Sequence, residues 1–286
     1  MSDLPLDASR HWAPPGSAYS PLVDPAEGVR RREQLIARFD GSVAGVDLRT
    51  TDQVALLEAL LATHAPASVG EEPVGRARWK RGNGFYPHGD AYVLQALVRH
   101  VRPRRVIEVG GGFSTAALLD ALDLDGRADE ARVTVVEPDP ERLFSLLREE
   151  DRGRLDVVVG EIQDLPLERY AELSAGDVLL IDSSHVLKTG SDVQLLLFEA
   201  LPLLAPGVLV HFHDVPWPFE YAPEWIEQGR SWNEAYAVRA FLQFNSAFAV
   251  KLHLSHLAGL DPERLAAAAP ELAAEVGSAL WIERLR

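Results

Sequence analysis

The chain is 286 residues long, 47% hydrophobic and 25% charged, with 28 Lys and Arg against 43 Asp and Glu and a formal charge of −15. That length accommodates one large core plus an extension, or two small domains, and so acidic a surface repels phosphate backbones, which bind through Lys and Arg; nucleic acid is excluded in favour of a small neutral or cationic partner. The absence of cysteine excludes disulfides, thiolate metal sites and a cysteine nucleophile.

In chain order, MSDLPLDASRHWAPPGSAYS has neither a basic n-region nor an apolar h-region, and no apolar run reaches the length of a membrane span. No leader and no membrane association are expected, and a cytoplasmic address fits. The pair Arg31-Arg32 precedes no apolar block and does not read as an export signal. The first thirty or so residues, rich in Pro, Ala and Asp without periodicity, read as an extended arm. TTDQVALLEALLATHAP places Leu57, Leu60, Leu61 and His64 at helical spacing with a threonine as cap, and SVGEEPVGRARWKRGNG is a loop. GDAYVLQALVRHV offers Asp90 as N-cap and sets Leu94, Leu97, Val98 and Val101 on one face.

From Arg104 the chain alternates. RRVIEVG is a short strand, followed by a glycine turn and the helix STAALLDAL; RVTVVEPD is the second strand, followed by the helix PERLFSLLREE. LDVVVGE and DVLLIDSS are the third and fourth strands, SDVQLLLFEALPLL a buried helix, and GVLVHFHDV the fifth strand. SWNEAYAVRAFLQFN opens with a capping box, Ser231 with Glu234. FAVKLHLSHL and SALWIERL complete seven strands around an alanine-rich helix interrupted at Pro270. Strands of continuous apolar character separated by helices indicate an α/β fold, a doubly wound parallel sheet covered on both faces. An N-terminal arm and helical extension, residues 1–82, precedes this domain at 83–286.

VIEVGGGFST carries the first functional signal. A strand ends at Val109, three glycines turn the chain, and Ser114 can cap the helix that follows, whose N-terminus presents unpaired N–H groups. The next strand ends in Glu137, 27 positions beyond Gly110, where an acid accepts hydrogen bonds from both ribose hydroxyls of a nucleoside. Two cofactors compete. A dinucleotide site wants G-x-G-x-x-G, and Thr115 stands at the third position. An S-adenosylmethionine site instead uses an acid before the first glycine to hold an α-amino group, and Glu108 supplies it.

On these residues, the chain from about Asn83 onward resembles class I S-adenosylmethionine-dependent methyltransferases, and RPRRVIEVGGGFSTAALL is similar to small-molecule enzymes of bacterial secondary-metabolism and polysaccharide clusters. The resemblance implies a Rossmann-like, mostly parallel seven-stranded sheet with one strand inserted antiparallel. It also implies cofactor contacts at Glu108, Gly110, Gly112 and Ser114, at Glu137 for the ribose, and at Gly160 with Glu161 or Asp164 near the adenine. Asp182, ending the fourth strand, would border the same cofactor. The first eighty residues resemble no family we can name.

The fourth strand ends in IDSSH and the fifth in HFHDVPW, which brings Asp182, His185, His211, His213 and Asp214 to one edge of the sheet. Two carboxylates buried side by side repel, so a metal or cationic group is expected between them. The pattern is similar to divalent-metal-dependent O-methyltransferases of the catechol and caffeoyl-CoA kind. That resemblance implies Asp182, His213 and Asp214 as metal ligands and puts His185 where a lysine base would stand. An imidazole in the set suits Fe, Mn, Co, Ni or Zn better than Mg, and a histidine's ordinary pKa of about 6.5 needs little tuning for a base.

PWPFEYAPEWI, with Phe85, Tyr86 and Trp232, reads as a lid; Tyr86, Trp217 and Tyr221 are the expected substrate contacts, and the same aromatics would also serve a homo-oligomer interface. The expected activity is methyl transfer to a small-molecule hydroxyl. The alternatives are iron-dependent oxygenase chemistry on the same fold, a NAD-dependent oxidoreductase, and a non-catalytic binding protein.

Overall fold

A computed structural model describes residues 12–65, 69–70, 77–126 and 130–286. The arm's first eleven residues and much of the loop read over 68–84 lie outside the described residues. The sheet contains β1 (Arg105–Val109), β2 (Arg132–Val136), β3 (Leu155–Val158), β4 (Val178–Ile181), β5 (Leu209–Phe212), β6 (Phe248–His253) and β7 (Leu280–Arg284), in the order β3-β2-β1-β4-β5-β7-β6. All pairs among β1 to β5 are parallel, and β7 runs antiparallel between β5 and β6. Alternate residues of β4 feed opposite cores: Val178 and Leu180 join one cluster, Leu179 and Ile181 the other. That two-sided burial is why the strands read as unbroken apolar runs.

Because the chain leaves β1 for β2 and β3 and returns to β4, the connections part between β1 and β4, and the carboxyl ends there open a crevice. Asp182 N–H donates to the Val109 carbonyl at 2.8 Å, and His213 N–H to the Ile181 carbonyl at 2.8 Å, so three strand ends are tied into one rim.

The helices are α1 (Pro25–Ala37), α2 (Thr50–Thr63), α3 (His88–Val101), α4 (Phe113–Leu124), α5 (Glu141–Leu146), α6 (Glu168–Ala171), α7 (Asp192–Leu195), α8 (Leu201–Leu203), α9 (Pro223–Glu227), α10 (Glu234–Leu242), α11 (Leu254–Leu260), α12 (Pro262–Ala268) and α13 (Pro270–Ala274). The buried helix read over SDVQLLLFEALPLL is α7 and α8 joined by a π turn at Leu196–Ala200.

Several local readings are corrected. The arm is helical from Pro25, where Asp24 caps Glu27 N–H and Pro25 starts the first turn. The residue before α2 is Arg49, in the left-handed region at φ 49°, rather than a capping threonine, and His64 follows the helix end. Asp90 is inside α3 behind Pro87, its carboxylate accepting from Ser278 N–H at 3.0 Å and Ala279 N–H at 2.9 Å. Asn233, not Ser231, precedes α10; the Ser231 hydroxyl accepts from Val23 N–H. For Asp90 and Ser231 a long-range partner outbids the local cap.

The extension is fastened by charge as well as by packing. Arg78, buried, donates to Asp151 Oδ2 at 2.7 Å, Asp120 Oδ1 at 2.9 Å and Asp123 Oδ2 at 2.8 Å. Next to it the Trp79 indole N–H donates to the Tyr86 carbonyl at 3.1 Å, which presents Tyr86 at the crevice. Replacing Arg78 leaves buried acids without a counter-charge. Arg78→Met is expected to lower unfolding free energy by about 3–5 kcal/mol, measured by urea denaturation.

Candidate functional site

The glycine loop is shaped by a collision. Gly110 stands at φ +79°, and a Cβ there would lie 2.1 Å from the Asp182 carbonyl oxygen, so only glycine lets the β1 loop cross the end of β4. At Gly111 a Cβ would meet Val135 at 2.5 Å. Glu137 accepts from Gly111 N–H at 2.9 Å and Asp139 N–H at 2.8 Å, which braces this acid against the loop. A cavity of about 430 Å³ opens here, lined by Gly110, Glu137, Glu161, Asp182, Ser183 and Lys188 among others.

Ser114 and Glu108 take places other than those expected. The residue before α4 is Gly112, and the helix is closed by Thr115, whose hydroxyl accepts from Gly112 N–H at 3.0 Å and donates to Glu108 Oε2 at 2.6 Å. Glu108 is fully buried under the loop and lines neither cavity, so it supports the glycines from below rather than facing an amino group. Burial pushes its carboxyl up to about 8, against the hydroxyls of Ser114 and Thr115 and with the help of the Asp182 and Glu137 charges. Its Oε1 has no partner. Thr115, which spoils a dinucleotide fingerprint, is thus the loop's clamp; an acid seven residues before a hydroxyl was the available signal.

A second cavity, of about 500 Å³, lies across the rim and is lined by Tyr86, Gly112, Ser114, Asp182, His185, His213, Asp214 and Trp232 among others. Asp182 belongs to both cavities. Here two histidines face two carboxylates. His185 Nε2 is 3.5 Å from Asp182 Oδ1 and 3.8 Å from Asp214 Oδ2; His213 Nδ1 is 3.4 Å and 3.7 Å from the same two oxygens. The far nitrogens are backed by buried acids: His185 Nδ1 lies 2.9 Å from Glu234 and His213 Nε2 3.5 Å from Asp90. His185 and Asp214 both hold positive φ, 60° and 53°, a cost of about 1–3 kcal/mol each that surrounding bonds must impose. For His185 they are visible: its carbonyl accepts from Asn233 and Glu234 N–H, and its own N–H donates to the Ser183 hydroxyl at 2.9 Å. Ser184 donates to Asp192 through both N–H and hydroxyl, at 2.6 Å each. The two serines therefore build the turn that delivers His185.

Charge in this cluster departs from a freely titrating imidazole. Burial opposes the His185 charge, but Asp182 and Glu234 outweigh it and raise the ring to about 9. Burial likewise opposes the charge on His213, and Asp214 and Asp182 raise it well above its ordinary value. Burial also disfavours ionised Asp182, yet His213 and His185 hold it well below the usual carboxylate range. The two histidines thus bring positive charge to two adjacent carboxylates. His211 lies behind the cluster, against Trp281 and 3.3 Å from the Tyr86 hydroxyl; burial pushes it down to about 3, so it is a neutral core residue.

Asp182, His213 and Asp214 are oxygen and nitrogen donors of the kind a divalent ion takes. Both His213 ring nitrogens lack a hydrogen-bond partner. Among the described residues no group of three or more His, Asp or Glu side chains is arranged to hold a metal ion; the donors stand in histidine–carboxylate pairs.

Of the expected substrate contacts, Tyr86 lines the second cavity and stacks on His213 at 4.9 Å. Trp217 and Tyr221 line neither cavity, which corrects that expectation. Trp217 packs among Phe39, His253 and His256, and the Tyr221 hydroxyl accepts from Ala235 N–H at 2.8 Å. The aromatic wall is built instead by Phe85, Phe113, Trp225 and Trp232, the last 4.3 Å from the His185 ring.

Residues 107–215 match a family described as a methyltransferase domain. An uncharacterised protein of Archaeoglobus fulgidus is 34% identical over 133 residues, which cover 44% of this chain and 58% of the relative; the chain thus spans little more than half of that relative's length. Among solved structures, the S-adenosylhomocysteine-bound methyltransferase of Podospora anserina is 13% identical, covering 90% of this chain and 96% of its own, with a TM-score of 0.43. The O-methyltransferase of Bacillus cereus in complex with S-adenosylhomocysteine is 16% identical, covering 92% and 100%, with a TM-score of 0.40.

Glu108 yields a pH prediction. Its folded pKa, about 8, lies above the ordinary 4.5, so the unfolded chain loses this proton first and the contribution to stability, complete below 4.5, is lost as pH rises through 8. Glu108→Gln keeps an acceptor for Thr115 and removes the titration. Urea denaturation of the ligand-free protein should show wild-type stability falling by up to about 1.4 kcal/mol per pH unit across this window, and the variant more nearly flat.

Proposed function

We propose that this chain, whose residues 107–215 form a methyltransferase domain, transfers a methyl group from S-adenosylmethionine to a hydroxyl oxygen of a small molecule. The observation that carries this reading is that two cavities, one under the glycine loop and one under the aromatic wall, meet at the Asp182 side chain. The cofactor supplies an electrophilic methyl on sulfur; the chain's own contribution is alignment and proton management.

In the first cavity Glu137 accepts from the ribose hydroxyls, while Gly110 to Gly112 admit the cofactor close to the backbone. Glu161, at the start of the turn Ile162–Asp164, borders the adenine end. Lys188 lines the same cavity.

In the second cavity Asp182, His213 and Asp214 would hold a divalent ion of the Mn or Fe class, which as a Lewis acid lowers the pKa of a bound hydroxyl. Ser278 Oγ donates to Asp214 Oδ1 at 2.9 Å and sets that carboxylate. His185, with Nδ1 held by Glu234, turns Nε2 to the acceptor and takes its proton; Glu234 fixes the tautomer much as the acid of a catalytic triad does. A cation held by these carboxylates would supply the positive charge that His185 otherwise carries and leave its ring able to accept a proton.

Calorimetry tests the cofactor first: S-adenosylhomocysteine should bind, and Glu137→Ala should weaken it by at least about tenfold, the loss of two charge-assisted hydrogen bonds. Failure of both S-adenosylmethionine and S-adenosylhomocysteine to bind would remove the reading. For the second cavity, Asp182→Asn should weaken Mn²⁺ binding and abolish methyl transfer, and a chelator should silence the wild type. His185→Gln should lower kcat by at least about a hundredfold while leaving the S-adenosylhomocysteine Kd within about twofold. Oxygen consumption with Fe²⁺ and no methyl product would point to oxygenase chemistry instead.

A further inference from the structure

Two arginines stand in the lining of the second cavity, Arg142 and Arg230. Several arginines of this acidic chain are spoken for: Arg78, Arg102, Arg148, Arg169 and Arg264 all pair with carboxylates. Arg142 and Arg230 form no ion pair among the described residues. Each lies on an aromatic face instead. The Arg142 guanidinium is 3.8 Å over the Phe85 ring, itself stacked on Phe113 at 5.8 Å and 11°. The Arg230 guanidinium is 4.6 Å from Trp232 and 5.6 Å from Trp225.

An aromatic face steadies a guanidinium by its quadrupole but uses none of its N–H donors. Both forks therefore keep their donors available to something in the cavity. The acids of the lining are differently placed. Asp182 and Asp214 face His185 and His213, and Glu275 is the remaining carboxylate. Along one wall the order runs from Arg230 to Trp232 to His185, so the cationic group sits beyond the aromatic shelf as seen from the reacting oxygens.

We propose that Arg142 and Arg230 pair with an anionic group of the acceptor, a carboxylate in the simplest case, held at the far end of an aromatic or otherwise flat body from the hydroxyl that is methylated. The proposal rests on the methyl-transfer reading above and narrows its substrate class. It also reverses the expectation drawn from net charge, because the local field of the cavity rim, and not the sum over the chain, decides what docks there.

Two probes of nearly equal shape separate the possibilities: 3,4-dihydroxybenzoate and 3,4-dihydroxybenzyl alcohol. They share the vicinal diol, so whatever the inner groups contribute cancels in their ratio. Calorimetry on the protein loaded with S-adenosylhomocysteine and Mn²⁺ should give the benzoate a Kd at least about tenfold below that of the alcohol, the scale of one or two charge-assisted hydrogen bonds. The double variant R142Q/R230Q should bring that ratio to about one while the Kd for S-adenosylhomocysteine stays within about twofold. A wild-type ratio near one, or no binding of the benzoate at millimolar concentration, overturns the proposal. A ratio that survives both substitutions overturns it too, as does a double variant that loses S-adenosylhomocysteine rather than the benzoate, which would assign the arginines to the cofactor. If wild-type protein fails to bind S-adenosylhomocysteine at all, the methyl-transfer reading falls, and the ratio measured without cofactor still decides the anion preference.

Discussion

Everything at this site depends on how closely two strand ends approach. The Asp182 N–H bonds to the Val109 carbonyl, and the Asp182 carbonyl occupies the space that a side chain at Gly110 would fill. That contact closes the gap between β1 and β4 where the connections diverge. The glycine loop and the acid of the fourth strand then share a wall. A single backbone crossing thereby makes one side chain common to two cavities. Separated by one more methyl group at residue 110, the two chambers would lose their common boundary.

Around that crossing, support is layered beneath the reactive surface. Glu108 and Thr115 hold the loop from below, Asp90 and Glu234 back the two histidines, and Ser183, Ser184 and Ser278 fix the turns that carry His185 and Asp214. The strained backbones of His185 and Asp214 are affordable because so many bonds over-determine them. The same logic explains the extension. Arg78 pins the segment that brings Tyr86 to the rim, so residues outside the sheet complete one side of the second cavity.

Much of this was legible in the sequence. Seven apolar runs, the tripled glycine and acids at Glu137 and Asp182 are written locally, because strands buried on both faces and turns without side chains leave composition no choice. What escaped was every side chain with a distant partner. Asp90 looks like a cap until Ser278, 188 residues away, claims it. Glu234 looks like half of a capping box, yet its carboxylate faces His185, 49 residues away. Aromatic density near PWPFEYAPEWI announced a wall without distinguishing the residues that face it from those that hold it up. Trp225 lines the chamber; Trp217 and Tyr221 pack behind it. The helix at Pro25–Ala37 is the exception, since Asp24, Pro25 and Glu27 are a local signature that low periodicity concealed.

The carbonyl of His185 accepts the N–H groups of both Asn233 and Glu234, and the His185 ring lies against Trp232. Wall and imidazole are therefore one mechanical unit. A ligand bulky enough to push Trp232 outward would turn the imidazole with it. Room for a larger ligand is therefore to be made on the Phe85 and Phe113 side, leaving the tryptophan side alone.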